Sequence, residues 1–168
     1  VLDVLIDLGG EGARLKWPNH VWIQGSRLAG ILVELASRGP SAIAVIGLGM
    51  NIALTPEERA AVDQPIADLL SIGVAVDRNS LLMAFVEKMA SYLRHFEHSG
   101  FEAFRSAFDA VHLLHRREVV VHSATDGKSL LTHGSVEGVG GSGQLLIRTS
   151  RGLEEMLGGE VSLRPADY

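Results

Sequence analysis

The chain has 168 residues, room for one domain or two small ones, and its 46% hydrophobic and 21% charged residues are the balance of a globular fold, not of a disordered chain. The formal net charge of -5 with dispersed basic residues argues against nucleic-acid binding, and the lack of cysteine excludes a disulfide scaffold and thiolate zinc sites. No apolar run reaches the ~18 residues a membrane span needs, and the opening residues lack a signal-peptide pattern, so a cytoplasmic, membrane-free protein is expected.

Residues 1–8 place Val1, Val4, Leu5 and Leu8 on one helical face, and Gly9-Gly10 ends it as a C-cap does. That stripe is already under way at the first residue, which predicts further chain before it. After residues 14–18, the runs 21–24 and 27–35 read as β-rich, joined by a Gly25-Ser26 turn into a hairpin. After a turn at residues 38–41, the apolar run 42–46 predicts a strand covered on both faces or nearly so, entering Gly47-Leu48-Gly49-Met50-Asn51. Thr55 and Pro56 have the form of an N-cap and first helical residue.

Asn79 or Ser80 is expected to cap a long helix whose face of Leu81, Leu82, Phe85, Val86, Met89, Leu93 and Phe96 belongs in a core. Gly100 stops it, and a second helix lines up Phe101, Phe104, Phe108 and Val111. His112 and His115 share that helix end; lacking carboxylate partners of a known metal motif, they suggest a solvated helix end and no metal site. From Arg117 onward come short β runs at 118–122, 130–139, 144–149, 153–157 and 160–163, separated by Gly-rich turns, which predicts a small barrel. The change of texture sets a domain boundary at 115/116.

Three motifs lie close together: Leu15-Lys16-Trp17-Pro18-Asn19-His20, then Arg27-Leu28-Ala29-Gly30-Ile31-Leu32-Val33-Glu34, then Val45-Ile46-Gly47-Leu48-Gly49-Met50-Asn51. In order and spacing they resemble the biotin protein ligases, whose patterns run K-W-P-N-D, K-L-A-G-I-L-V-E and I-G-x-G-x-N. The likeness continues through Asp77-Arg78-Asn79 to Gly158-Gly159-Glu160-Val161-Ser162-Leu163-Arg164. It implies an α/β (α+β) fold: a mixed sheet with packed helices in a class II synthetase-like ligase core over residues 1–115, then an SH3-like β-barrel over 116–168, with Glu160 and Arg164 facing the first domain.

The resemblance also implies ATP-dependent conversion of biotin to biotinyl-adenylate, with Mg²⁺, and transfer to a lysine of a carrier, commonly the biotin carboxyl carrier domain of acetyl-CoA carboxylase. Such chemistry brings a carboxylate against a phosphate and needs cations and close backbone approach. Lys16, His20 and Arg27 are the implied catalytic residues. Trp17, Asn19, Gly30, Ile31, Leu32, Gly47, Gly49, Asn51 and Arg164 are the implied biotin and adenylate contacts, with Asn51 offering its side-chain oxygen and Ile31 and Leu32 walling the biotin pocket. His20 stands where the family has aspartate and Arg27 where it has lysine, which alters charge in one case and hydrogen-bond geometry in the other.

The family's G-R-G-R-x-G-R loop and its Ser-Thr-Asn segment do not occur in these residues. A chain without them is expected to be inactive alone, and an inactive binding or dimerisation module, pairing through the central sheet, is the competing reading. Lipoate–protein ligase, which shares the fold, is disfavoured by Lys16-Trp17-Pro18-Asn19 and by the C-terminal barrel. Trp22 reads as a hydrophobic anchor of the hairpin.

Overall fold

The computed structural model describes residues 1–38, 41–123, 125, 129–158 and 161–166. In chain order the elements are α1 (Leu2–Asp7), β1 (Arg14–Lys16), β2 (His20–Ile23), β3 (Ser26–Arg38), β4 (Ser41–Met50), α2 (Pro56–Ala60) and α3 (Arg78–Ser99). A 3₁₀ turn (Phe101–Phe104), α4 (Arg105–Val111), β5 (Glu118–Ser123), β6 (Leu130–Val139), β7 (Leu145–Thr149), β8 (Gly152–Met156) and β9 (Val161–Pro165) follow. The chain divides into two compact units: Val1–Leu15 with Asn19–Lys88, and Lys16–Pro18 with Met89–Tyr168. The change of texture at His115 marks where the strands begin, but this division falls earlier, inside α3. The reason is that Phe101, Phe108 and Leu113 already pack on the β5–β7 core.

In the first unit the strands run β1-β2-β3-β4. The β2–β3 and β3–β4 pairings are antiparallel, where the sequence suggested a mixed sheet; two-residue connections leave no room for the crossover a parallel pair needs. The β2–β3 turn is Gln24-Gly25, one residue earlier than expected. Both residues have positive φ, 48° and 76°, the conformation that matches hairpin twist, and Ser26 is already paired with Ile23. Ala29, Leu48 and Met50 bring one face of the sheet to a core with Val4, Leu5, Leu28, Leu69 and Val74.

Two apolar surfaces lack the cover the sequence led us to expect. On the β3–β4 hairpin, Leu32, Val33, Leu35, Ile43 and Val45 are all exposed. On α3 only Leu81 is buried, while Leu82, Val86, Met89, Leu93 and Phe96 form an exposed stripe at 4-3-4-3 spacing. The predicted apolar face is therefore covered only in part: Leu81 and Phe85 meet the first core and Phe96 meets the Phe104 ring, while the stripe stays largely exposed. Capping shows a smaller difference: Asp77 Oδ1 accepts the Asn79 and Ser80 amides at 3.0 and 3.1 Å, so the cap sits ahead of Asn79. Thr55 caps α2 in a full capping box with Glu58, as expected.

The second unit carries a five-stranded sheet in the order β8-β7-β6-β5-β9, each neighbouring pair antiparallel. Alternation sends Val119, Val121, Val136, Leu145 and Ile147 inward, and Trp17 and Leu114 complete the core. A register shift at Gly138, φ 140°, accommodates α4, whose Asp109 Oδ1 accepts the Val139 amide at 3.0 Å. His112, expected at a solvated helix end, is instead only 5% exposed beside Phe108.

Candidate ligand-binding site

The β3–β4 register arranges the glycines. Gly30 lies opposite Gly49, Leu32 opposite Gly47, and His20 on β2 opposite Gly30. Because side chains alternate along a strand, these five positions share one face, the face turned away from Leu48 and Met50. The result is a patch of sheet almost bare of side chains, with the His20 ring lying beside Gly30. A Cβ on Gly30 would sit 3.4 Å from His20 Cδ2, one on Gly47 3.8 Å from the Leu32 carbonyl, and one on Gly49 3.9 Å from the Gly30 carbonyl. None of the three has a positive φ, so the sheet itself does not require glycine at Gly47 or Gly49. Ile31 takes the opposite face, paired with Leu48; its amide donates to Asn19 O at 2.8 Å and its carbonyl accepts Asn19 Nδ2 at 2.7 Å.

Arg27 and Asn51 flank the start of β3 and the end of β4, and one loop holds both. Arg27 N donates to Pro65 O and Ala67 N to Arg27 O, at 2.9 and 3.0 Å. Asn51 is held at three points: its amide on Leu28 O, its carbonyl under the Leu69 amide, and its Nδ2 on Ala67 O at 2.9 Å. The carbonyl facing the side chain fixes which end is the NH₂. Oδ1 therefore lies at the other end of the amide, an acceptor with fixed direction.

Sequence reasoning missed what secures that loop. Asp68, 2% exposed, accepts the Ser71 amide at 2.7 Å, the Leu54 amide at 3.1 Å and the Arg59 guanidinium. Burial opposes its ionisation, but these donors outweigh it and hold the carboxyl below its usual range. The available signal was the Asp-x-x-Ser spacing of Asp68 and Ser71, a side-chain-to-backbone turn motif.

The second unit holds the other implied cations. Lys16 ends β1, and its pKa is lowered by burial and then by the charge of Arg164, which β9 carries opposite Val120. Trp17 is buried in the second core, its Nε1 donating to Gly143 O at 3.0 Å, so its main role here is packing. Gly159 and Glu160 lie outside the described residues. Among those residues no cluster of three His, Asp or Glu suits a metal, and no helix is long and apolar enough to cross a membrane.

Residues 4–51, which span the glycine patch, match the model of the biotin/lipoate A/B protein ligase family. The bifunctional ligase/repressor BirA of Escherichia coli is 33% identical over 166 residues, 98% of this chain and 50% of that protein. The biotin–[acetyl-CoA-carboxylase] ligase of Paracoccus denitrificans is 31% identical over 158 residues, 90% of this chain and 64% of that protein. The chain is similar to biotin protein ligases over nearly its whole length. The fold agrees: the apo biotin protein ligase of Aquifex aeolicus superposes with a TM-score of 0.81 at 26% identity, covering 98% of this chain and 70% of that one. A structure of an Aquifex aeolicus biotin protein ligase in complex with biotin and ATP gives 0.78, over 98% and 67%. The chain spans about half the length of the curated BirA relatives it matches.

Proposed function

We propose that this chain supplies the later part of a biotin protein ligase: the end of its catalytic domain and, over residues 116–168, a small SH3-like C-terminal domain. The observation that carries this reading is the bare face of Gly30, Gly47 and Gly49, which offers a flat, apolar floor to a fused ring system such as biotin's. Leu32 edges the floor and His20 overlies one end of it.

In this reading a biotin carboxylate oxygen attacks the α-phosphorus of ATP and expels pyrophosphate. The ε-amine of a carrier lysine then attacks the acyl carbon and releases AMP. Arg27, its main chain pinned by residues 65–67, holds carboxylate and phosphate charge together, which favours the adenylate-forming step. Lys16 and Arg164, two cations within electrostatic reach of each other, receive the polyphosphate. Asn51 Oδ1 is a hard oxygen donor of the kind Mg²⁺ takes beside substrate phosphates. His20, as a neutral imidazole, accepts a proton from the incoming lysine. The carrier is the biotin carboxyl carrier domain of an acetyl-CoA carboxylase; acetyl-CoA carboxylase is the enzyme that the Paracoccus relative's name gives as its substrate. The exposed β3–β4 hairpin favours a homodimer paired through the central sheet.

Gly47→Ala and Gly49→Ala, made in the ligase carrying this segment, test the floor. Each methyl meets only ordinary contacts in the protein, so thermal stability is expected to hold or rise slightly. Each methyl also occupies ligand space, so biotin binding is expected to weaken by about 1–3 kcal/mol. An unchanged biotin KM in both variants overturns the assignment.

A further inference from the structure

We propose that Asp68, with Arg59, is a positioning residue that aims Asn51 Oδ1 by clamping the loop that holds its side chain. The proposal rests on the ligase reading for its functional consequence and on geometry for the clamp itself.

The loop touches both site residues through its backbone alone. Pro65 O and Ala67 N grip Arg27, Ala67 O takes Asn51 Nδ2, and Leu69 N and Leu70 N donate to Asn51 O and Ile52 O. Backbone contacts of this kind are only as well placed as the loop. Asp68 lies at its centre and ties it in three directions: forward to the Ser71 amide, back to the Leu54 amide just past Asn51, and across to Arg59. The serine completes the closure, its Oγ donating to Asp68 O at 2.9 Å. Arg59 grips the loop a second time, Nη1 donating to Ile66 O at 3.2 Å.

Arg59 sits in α2, a helix with no buried residue, which therefore gains no hold from packing. Its capping box closes its own first turn, and Arg59 ties it to the loop. A buried ion pair is a poor way to add stability, since an apolar pair of similar size does as well. What charge-assisted bonds add is direction. Loosening them lets the Asn51 amide turn, so that Nδ2 and Oδ1 exchange places and the acceptor leaves the site.

The test uses Arg59→Gln, which leaves the carboxylate its amide donors and so keeps the fold, together with Asp68→Asn. In the ligase carrying this segment both are expected to slow biotin-dependent exchange of labelled pyrophosphate into ATP by about tenfold or more. Asp68→Asn added to Asn51→Ala is expected to cost little beyond Asn51→Ala alone, because the clamp acts through that side chain. A merely structural Asp68 gives additive losses, and additivity overturns the proposal. Independently of activity, the two Asn51 side-chain amide protons should exchange with solvent faster in Arg59→Gln than in the parent. Unchanged exchange there also overturns it. If the parent itself exchanges no pyrophosphate, the ligase reading fails, and the Asn51 amide signal decides the clamp by itself.

Discussion

At the scale of single residues, His112 shows how burial sets a charge. It lies in the second unit against Phe108, and burial, then the neighbouring charge of His115, lowers its pKa to about 4. An unfolded histidine binds its proton near 6.5, so between these two values the unfolded chain carries more protons than the folded one. Stability is thus complete above about pH 6.5 and falls as pH drops towards 4, by at most about 3 kcal/mol for this group. Urea midpoints at pH 7 and pH 4.5 measure the slope. His112→Leu is expected to flatten it, and a variant with the parent's slope would show that another group is responsible. Asp68, with its lowered pKa, acts in a separate window: its contribution is present above the usual carboxylate value and is lost only below it. Motif spacing made the glycines legible and could not make His112 legible. The glycines face one another within a single hairpin, whereas the fate of a histidine depends on which strands α4 meets far along the chain.

Among the elements, local rules carried well wherever both partners lie in one stretch of sequence. The α2 capping box and most strand runs were there to be read. The Gln24-Gly25 turn was misplaced by one residue because glycine occupies the second position of the turn, behind a glutamine that itself takes a positive φ. The apolar stripe of α3 was legible as a stripe, but whether a stripe is covered is decided by residues elsewhere, and sequence periodicity carries no record of them. Glycines divide along the same line. Gly49 has open space above it, while a Cβ on Gly134 in β6 would fall onto the Arg148 carbonyl of β7 and lie 2.9 Å from Ile147 Cγ2. Backbone cannot yield as a side-chain tip does. Gly134→Ala is therefore expected to destabilise the second unit by about 2 kcal/mol or more, against little change for Gly49→Ala. Thermal melts of the two variants beside the parent check the contrast, and equal melting temperatures would show that β6 and β7 are not pressed together there.

For the whole molecule, the decisive question is whether the 168 residues form a complete catalytic set, and the physics of adenylation argues that they do not. A carboxylate and a triphosphate repel each other, so they react only inside a cationic, water-poor enclosure. The chain offers Arg27 in one unit and Lys16 with Arg164 in the other. It has no Gly/Arg-rich loop of the kind that closes over the adenylate in the family. It exposes apolar faces on β3–β4 and α3, and the BirA relatives are about twice as long. The same faces give an added catalytic segment somewhere to pack. The purified 168-residue chain is therefore expected to bind biotin weakly or not at all, and to show no biotin-dependent exchange of labelled pyrophosphate into ATP with Mg²⁺ present. Joining it to a family segment that carries the Gly/Arg-rich loop should restore exchange. Exchange by the chain alone at the rate of an intact ligase would mean that Lys16, Arg27 and Arg164 suffice without the loop. Failure of the joined protein would instead point to His20 and Arg27, where this chain departs from the family's aspartate and lysine.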